Sequence, residues 1–208
     1  MSWEGFLPED AIVMGTKKSE LKDTRPLDSF FQLRKEMESC HQCSLHEFRS
    51  RIVHGVGAEH ADLFLIGDAP GAVEDQEGVP FQGEAGALLD KMLAAIGQNR
   101  TTVFMTTLVK CAPPMERKPN GDEVLQCRSF LLRALRIVQP KVILTLGSFP
   151  TQSLLNTTLP ISQMRGRLHV WEEWNILPTF DPSYLLRNPS AKKEAWKDLQ
   201  WVQKILET

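Results

Sequence analysis

The order of apolar and polar positions divides this chain into a weakly patterned start and a sharply patterned body. From Ala61, the run ADLFLIG is continuously apolar and stops at Gly67, as a strand buried on both faces should. AGALLDKMLAAIG then aligns Leu88, Leu89, Met92, Leu93 and Ile96 on one helical face, with Gly97 as its stop. TTVFMTTLVKC, rich in β-branched residues, predicts a second strand. DEVLQCRSFLLRALRIVQP returns to helical spacing through Val124, Cys127, Leu131, Leu135 and Val138 and ends at Pro140. KVILTLG is a third buried strand, again closed by glycine. RLHVWEEWNILPTF supplies two short strands, with Trp171 and Trp174 flanking an edge, and leads into DPSYLLRNP. A last helix over 192–207 aligns Trp196, Leu199, Val202 and Ile205. The stretch DAPGAVEDQEGVPFQGEAG shows no helical period and is expected to be loop.

Strands alternating with helices predict an α/β fold, three-layer α/β/α around a mainly parallel central sheet. Ligands of such sheets sit at the carboxyl ends of the strands. Three candidate loops begin there, over 67–71, 106–111 and 181–187. Residues 1–38 are expected to form a polar N-terminal extension with one short helix over 27–37, just behind Pro26. Residues 39–208 are expected to form one domain.

Composition narrows the function classes. Of 208 residues, 42% are hydrophobic and the formal net charge is −2, which excludes global disorder. It also excludes a strongly basic polyanion binder, so any nucleic-acid contact has to come from a local patch or from positioned backbone amides. Lys110, Arg117, Lys118, Arg165 and Arg167 are candidates for a local basic rim. No apolar run approaches the ~18 residues of a membrane span. The opening MSWEGFLPEDAIVMGTKK lacks a basic-then-apolar signal pattern, so a cytoplasmic monomer with no membrane partner is expected.

Cys40, Cys43, Cys111 and Cys127 are the only cysteines. In a reducing compartment a disulfide framework is a poor reading. The C-x-x-C pair has the short bite that brings two thiolates to one metal centre, and folding can add the other two. Spacing leaves three readings open: unrelated thiols, a structural zinc, or an iron–sulfur cluster. His41, inside the C-x-x-C, is expected to be an exposed residue.

Four segments in order, CHQC, GDAPGAVEDQEGVPFQGEAG, TTLVKCAPP and DPSYLLRNP, resemble the family-4 uracil-DNA glycosylases, from about Cys40 to the carboxyl terminus. The resemblance implies a uracil-DNA-glycosylase-like fold, DNA as partner and a 4Fe–4S cluster on Cys40, Cys43, Cys111 and Cys127. It implies an enzyme that grips a base flipped out of DNA and hydrolyses its N-glycosidic bond. Asp68 matches the family's catalytic acid, suited to orienting water and offsetting charge on the sugar. Glu74 matches the acid that fills the space of a thymine methyl, and Phe81 the aromatic that stacks on the base. Gly67, Ala69 and the turn at Pro70 and Gly71 would let backbone approach the base. Ser183, Leu186 and Arg187 would meet the DNA, with Tyr184 and Leu185 adding apolar bulk for the gap left by the flipped nucleotide. Each residue also has a plain alternative: a loop cap at Asp68, a solvated carboxylate at Glu74, a core ring at Phe81, a helix anchor in DPSYLLR.

The departures from the pattern matter more than the matches. Thr107 stands where the family's T-N-x-x-K-C has asparagine, and its hydroxyl cannot read two base edges at once. Asp181 stands where the family's H-P-S has histidine, and an ionised aspartate cannot donate to the oxyanion of a leaving base. Gln82 replaces a usual valine. Uracil release is therefore either weakened or exchanged for another target such as a modified cytosine, with Asp181 as a second catalytic carboxylate. The alternative reading is a cluster-bearing DNA-binding relative without glycosylase activity; a third is an interaction or electron-transfer protein unrelated to DNA.

Overall fold

The computed structural model describes residues 29–208. Six strands form one sheet in the order β1–β3–β2–β4–β6–β5. They are β1 (Val56–Gly57), β2 (Leu63–Gly67), β3 (Phe104–Thr107), β4 (Val142–Leu146), β5 (His169–Trp171) and β6 (Trp174–Thr179). The central four run parallel, and the two edge strands are antiparallel to their neighbours. Eight α-helices are described: α1 (Phe30–Glu38), α2 (Ala72–Glu77), α3 (Gly83–Ala94), α4 (Gly121–Val138), α5 (Ser148–Leu155), α6 (Ile161–Met164), α7 (Pro182–Arg187) and α8 (Lys192–Leu206).

Period-two alternation along β2 builds the three layers. Phe64 and Ile66 enter one core with Phe30, Leu33 and Met37 of α1 and Phe130, Leu131 and Leu135 of α4. Leu63 and Leu65 enter a second core with Leu89 and Leu93 of α3 and Leu199 and Val202 of α8. The mainly parallel three-layer expectation holds. Register then sets the site: Gly67 pairs with Thr107, and Leu146 with Thr179. The strands thus end level, and the loops after them, beginning at Asp68, Leu108, Gly147 and Phe180, emerge along one edge.

Several local expectations need correction. Pro26 and Leu27 lie outside the described residues, and the first described helix opens at Phe30, capped by Ser29. Phe30 stacks on Phe104 with ring centroids 4.9 Å apart, so residues 30–38 belong to the α/β body and not to an extension. The glycine-rich stretch expected to be loop contains α2. That helix buries only Asp75, so it has no apolar stripe to read. Its fixation is polar: Glu74 closes its N-terminus, and the Asp75 carboxylate accepts from the Ser50 amide at 2.9 Å. Trp196 is 39% exposed, and Ala195 takes the buried position of α8 instead. Trp171 and Trp174 do flank the β5 edge, buried with centroids 5.7 Å apart.

Candidate active site

A cavity of about 380 Å³ opens at the carboxyl edge of the sheet and collects most of the predicted residues. Gly67, Asp68 and Ala69 come from the end of β2, Thr107 from the end of β3, and Glu74 and Phe81 from α2 and the turn after it. Asp181, Ser183 and Arg187 close it from α7. The loop after Cys111 supplies Arg117 and Lys118. The Leu108 amide donates to the carbonyls of both Gly67 (3.0 Å) and Asp68 (3.2 Å), stitching the two strand ends together.

Asp68 carries the strongest electrostatic signal here. Its Oδ1 is buried without a hydrogen-bond partner. Burial, joined by the Asp181 carboxylate, raises its pKa to about 7, with Lys118 opposing the rise. Perturbation of this kind by desolvation plus a named charge marks a chemical site.

Asp181 caps α7. Its Oδ1 accepts from the Ser183 amide (2.8 Å), the Ser183 hydroxyl (2.5 Å) and the Tyr184 amide (3.2 Å), which leaves Oδ2 for the cavity. Gly147, at the end of β4, makes room for both acids. A Cβ there would lie 3.1 Å from the Asp181 Cβ and 3.8 Å from Asp68 Oδ1. The sequence marked Gly147 only as a strand stop.

Glu74 is more engaged than a space-filling acid. Its two oxygens accept from the Gly71 amide at 3.0 Å and the Gln82 amide at 2.9 Å, tying the ends of the loop around Phe81. The Phe81 ring lies over Gly67, where a Cβ would come within 2.8 Å of Cε1. Thr107 is buried and its hydroxyl donates to the Val109 carbonyl at 2.7 Å, so its one proton is spent on the turn.

In α7, Leu185 is core at 1% exposure, whereas Tyr184, stacked on Phe180, and Leu186 project outward. The apolar bulk available to DNA is therefore Tyr184 and Leu186 without Leu185. The five-residue basic rim does not form. Lys110 is buried, Arg165 is committed to Asp198 and Glu194, and Arg117 pairs with Glu123 at 2.6 Å. Arg167 lies elsewhere, beside Trp171 and Met164. Of that set Lys118 remains to face the acids, its ammonium 5.6 Å from the centre of the Phe149 ring.

All four cysteines line a second, much smaller pocket. Cys40 and Cys43 follow α1, Cys111 follows β3, and Cys127 lies on α4. Arg49, which the sequence did not single out, donates to Cys111 Sγ at 3.3 Å and to the Cys40 carbonyl at 3.0 Å. Among the described residues no three His, Cys, Asp or Glu side chains converge on a single-ion position. Four thiols lining one pocket are a donor set that a structural zinc or an iron–sulfur cluster would use. Between the two chambers stands Lys110, whose ammonium donates to Thr106 Oγ1 at 2.5 Å and to the Thr107 carbonyl. Burial brings its pKa down to about 8, while Cys127 and Cys111 beside it oppose the fall. His41 is exposed, as expected.

Comparison with known proteins agrees with this geometry. Residues 54–201 match the family model described as the uracil DNA glycosylase superfamily. The chain is 37% identical to a type-4 uracil-DNA glycosylase of Sulfurisphaera tokodaii, covering 86% of each chain. It is 35% identical to the type-4 enzyme of Archaeoglobus fulgidus, over 86% of this chain and 94% of the relative. The type-4 enzyme of Thermotoga maritima is 37% identical over 74% of this chain and 81% of its own.

Proposed function

Because the chain belongs to the uracil-DNA glycosylase superfamily, on its type-4 branch, we propose that it hydrolyses the N-glycosidic bond of a base flipped out of DNA into the Asp68 cavity. The observation that carries this reading is the orphaned Asp68 carboxylate oxygen, set with Phe81 and Asp181 around one cavity at the strand ends. Phe81 offers the face on which the base stacks. Ionised Asp68 orients a water toward C1′ and offsets the positive charge that develops on the sugar. The hydroxyl of that water ends on C1′ and its proton on the departing base. Tyr184 and Leu186 fill the stack behind the flipped nucleotide, and Arg187 and Ser183 meet phosphate.

Specificity departs from uracil. With Oδ1 committed to the α7 cap, Asp181 presents Oδ2, which when ionised only accepts hydrogen bonds. Thr107 offers the base no free proton. A base that presents an N–H or exocyclic amine toward Asp181, such as a modified cytosine, complements this pair better than uracil does.

Cys40, Cys43, Cys111 and Cys127 would hold a 4Fe–4S cluster, which when bound would cross-link three separate segments of the chain. The fit rests on four thiols ringing one chamber, with the Arg49 guanidinium donating to a sulfur. Among the described residues no helix is long and apolar enough to cross a membrane.

The test is a base-release screen over uracil, hypoxanthine, xanthine and modified cytosines, run on anaerobically purified protein whose iron is quantified. Release of an amine-bearing base above uracil is the expected result. Salt-sensitive DNA binding with no release from any substrate would replace this reading with that of a DNA-binding relative.

A further inference from the structure

Phe81 has a backbone that a phenylalanine rarely adopts. Its φ is 57°, in the left-handed region that favours glycine and costs other residues about 1 kcal/mol or more. Such a conformation persists only where its surroundings over-determine it, and here they do. Arg100, in the turn after α3, donates through Nη2 to the Phe81 carbonyl at 2.5 Å and through Nη1 to the Pro80 carbonyl at 3.3 Å. Its Nε is itself fixed by Asp90 at 2.6 Å. The helix beneath gives way at Gly86, where a Cβ would stand 2.0 Å from the Phe81 carbonyl oxygen. On the far side the Gln82 amide is held by Glu74. Arg100 is absent from the cavity wall, so it cannot touch a base there.

We propose that Arg100 is a positioning residue for base recognition: its guanidinium fork fixes the left-handed turn at Phe81 and so lays the aromatic ring over Gly67, in the plane a base needs. The inference rests on Phe81 being the stacking ring. Planarity matters, because two carbonyls on successive residues are met by two nitrogens of one rigid group, a geometry that a lysine ammonium does not reproduce.

The test uses the full chain in an Asp68→Asn background, so that binding is measured without turnover. Affinities are taken for single-stranded oligonucleotides carrying uracil, 5-methylcytosine or an abasic site. The readout is the preference for the best-bound base over the abasic site. Stacking on an aromatic side chain contributes about 1–3 kcal/mol, or roughly 5- to 150-fold. Phe81→Ala should erase that preference. Arg100→Ala should cut it about tenfold or more with abasic-site affinity unchanged, Arg100→Lys should fall between, and Arg100→Ala should cost nothing further once Phe81 is alanine. Thermal unfolding of each variant verifies folding, and Arg100→Lys remains informative where the alanine variant does not fold. An unchanged preference in both Arg100 variants while Phe81→Ala erases it overturns the proposal and spares the stacking. Equal loss on base-bearing and abasic DNA also overturns it, since that is the signature of a merely structural arginine. No effect of Phe81→Ala, or no preference in the parent, removes the stacking reading itself.

Discussion

Asp68 and Asp181 meet across Gly147: the point where a Cβ would stand on that glycine is 3.8 Å from the Oδ1 of the first and 3.1 Å from the Cβ of the second. Burial, joined by the Asp181 carboxylate, holds the partnerless Asp68 acid well above its ordinary pKa. The chemistry and the pH response of the site both follow from that pairing.

The first prediction concerns rate. In the proposed chemistry Asp68 works as the carboxylate, and its pKa stands at about 7, so kcat/KM should rise through that pH and level off above it. Asp68→Asn should abolish base release at every pH. Lys118 opposes the rise, so Lys118→Ala should move the midpoint to higher pH. A profile of kcat/KM from pH 5 to 9 for both proteins measures this.

Stability should run the other way. The folded-state pKa of Asp68 lies above its ordinary value of 3.8, so the protonated acid is favoured by folding. Its contribution is fully present below about pH 4 and is lost as pH rises toward about 7. Asp68→Asn should therefore raise the melting temperature at pH 8, and the gain should vanish near pH 4. Thermal unfolding at the two pH values is the check.

Asp181 separates capping from chemistry. Asparagine is as good an N-cap as aspartate and adds a donor, so Asp181→Asn should keep the fold and raise uracil release. An oxyanion donor is commonly worth about 10²–10³ in rate, which bounds the gain. Asp181→Ala loses the bonds to Ser183 and Tyr184 and should cost about 1 kcal/mol of stability with no such gain. Single-turnover rates on uracil-containing oligonucleotides, with denaturant melts alongside, distinguish the two variants.

The buried ion pair at the back of α8 gives a fourth prediction. Arg165 donates to Asp198 at 2.6 and 2.9 Å, and Asp198, fully buried, also accepts from Thr179 at the end of β6. Removing the cation leaves a carboxylate that burial already pushes toward its neutral form, so Arg165→Met should cost about 3–5 kcal/mol. Because Arg165 is structural, the salt dependence of DNA binding should keep its slope, whereas a phosphate contact would lower it by about one. Urea melts and a salt titration of binding test both halves.

Much of this molecule was legible in its sequence wherever apolar side chains carried the signal. ADLFLIG, KVILTLG and the α4 stripe are fixed by burial, and burial has a period. Asp68 was legible because β2 ends on Gly67 and the next residue lands at the carboxyl edge. What the sequence concealed is held by polar contacts between distant residues. The α2 helix carries no stripe because a capping glutamate and the buried Asp75 fix it. The basic rim dissolved because Arg165 and Arg117 find carboxylates that only the fold brings near. Arg100 and Arg49 gave no local sign at all, since their partners are a carbonyl and a sulfur far along the chain.

Lys110 forms a partition. Its stem and ammonium are almost wholly enclosed, with the sulfur-lined room on one side and the wall behind Thr107 on the other. A shorter or uncharged side chain there would lose the bonds to Thr106 and to the Thr107 carbonyl and slacken the wall between the sulfur-lined room and the Asp68 cavity. The two compartments therefore share one brick, and neither can be rebuilt without disturbing its neighbour.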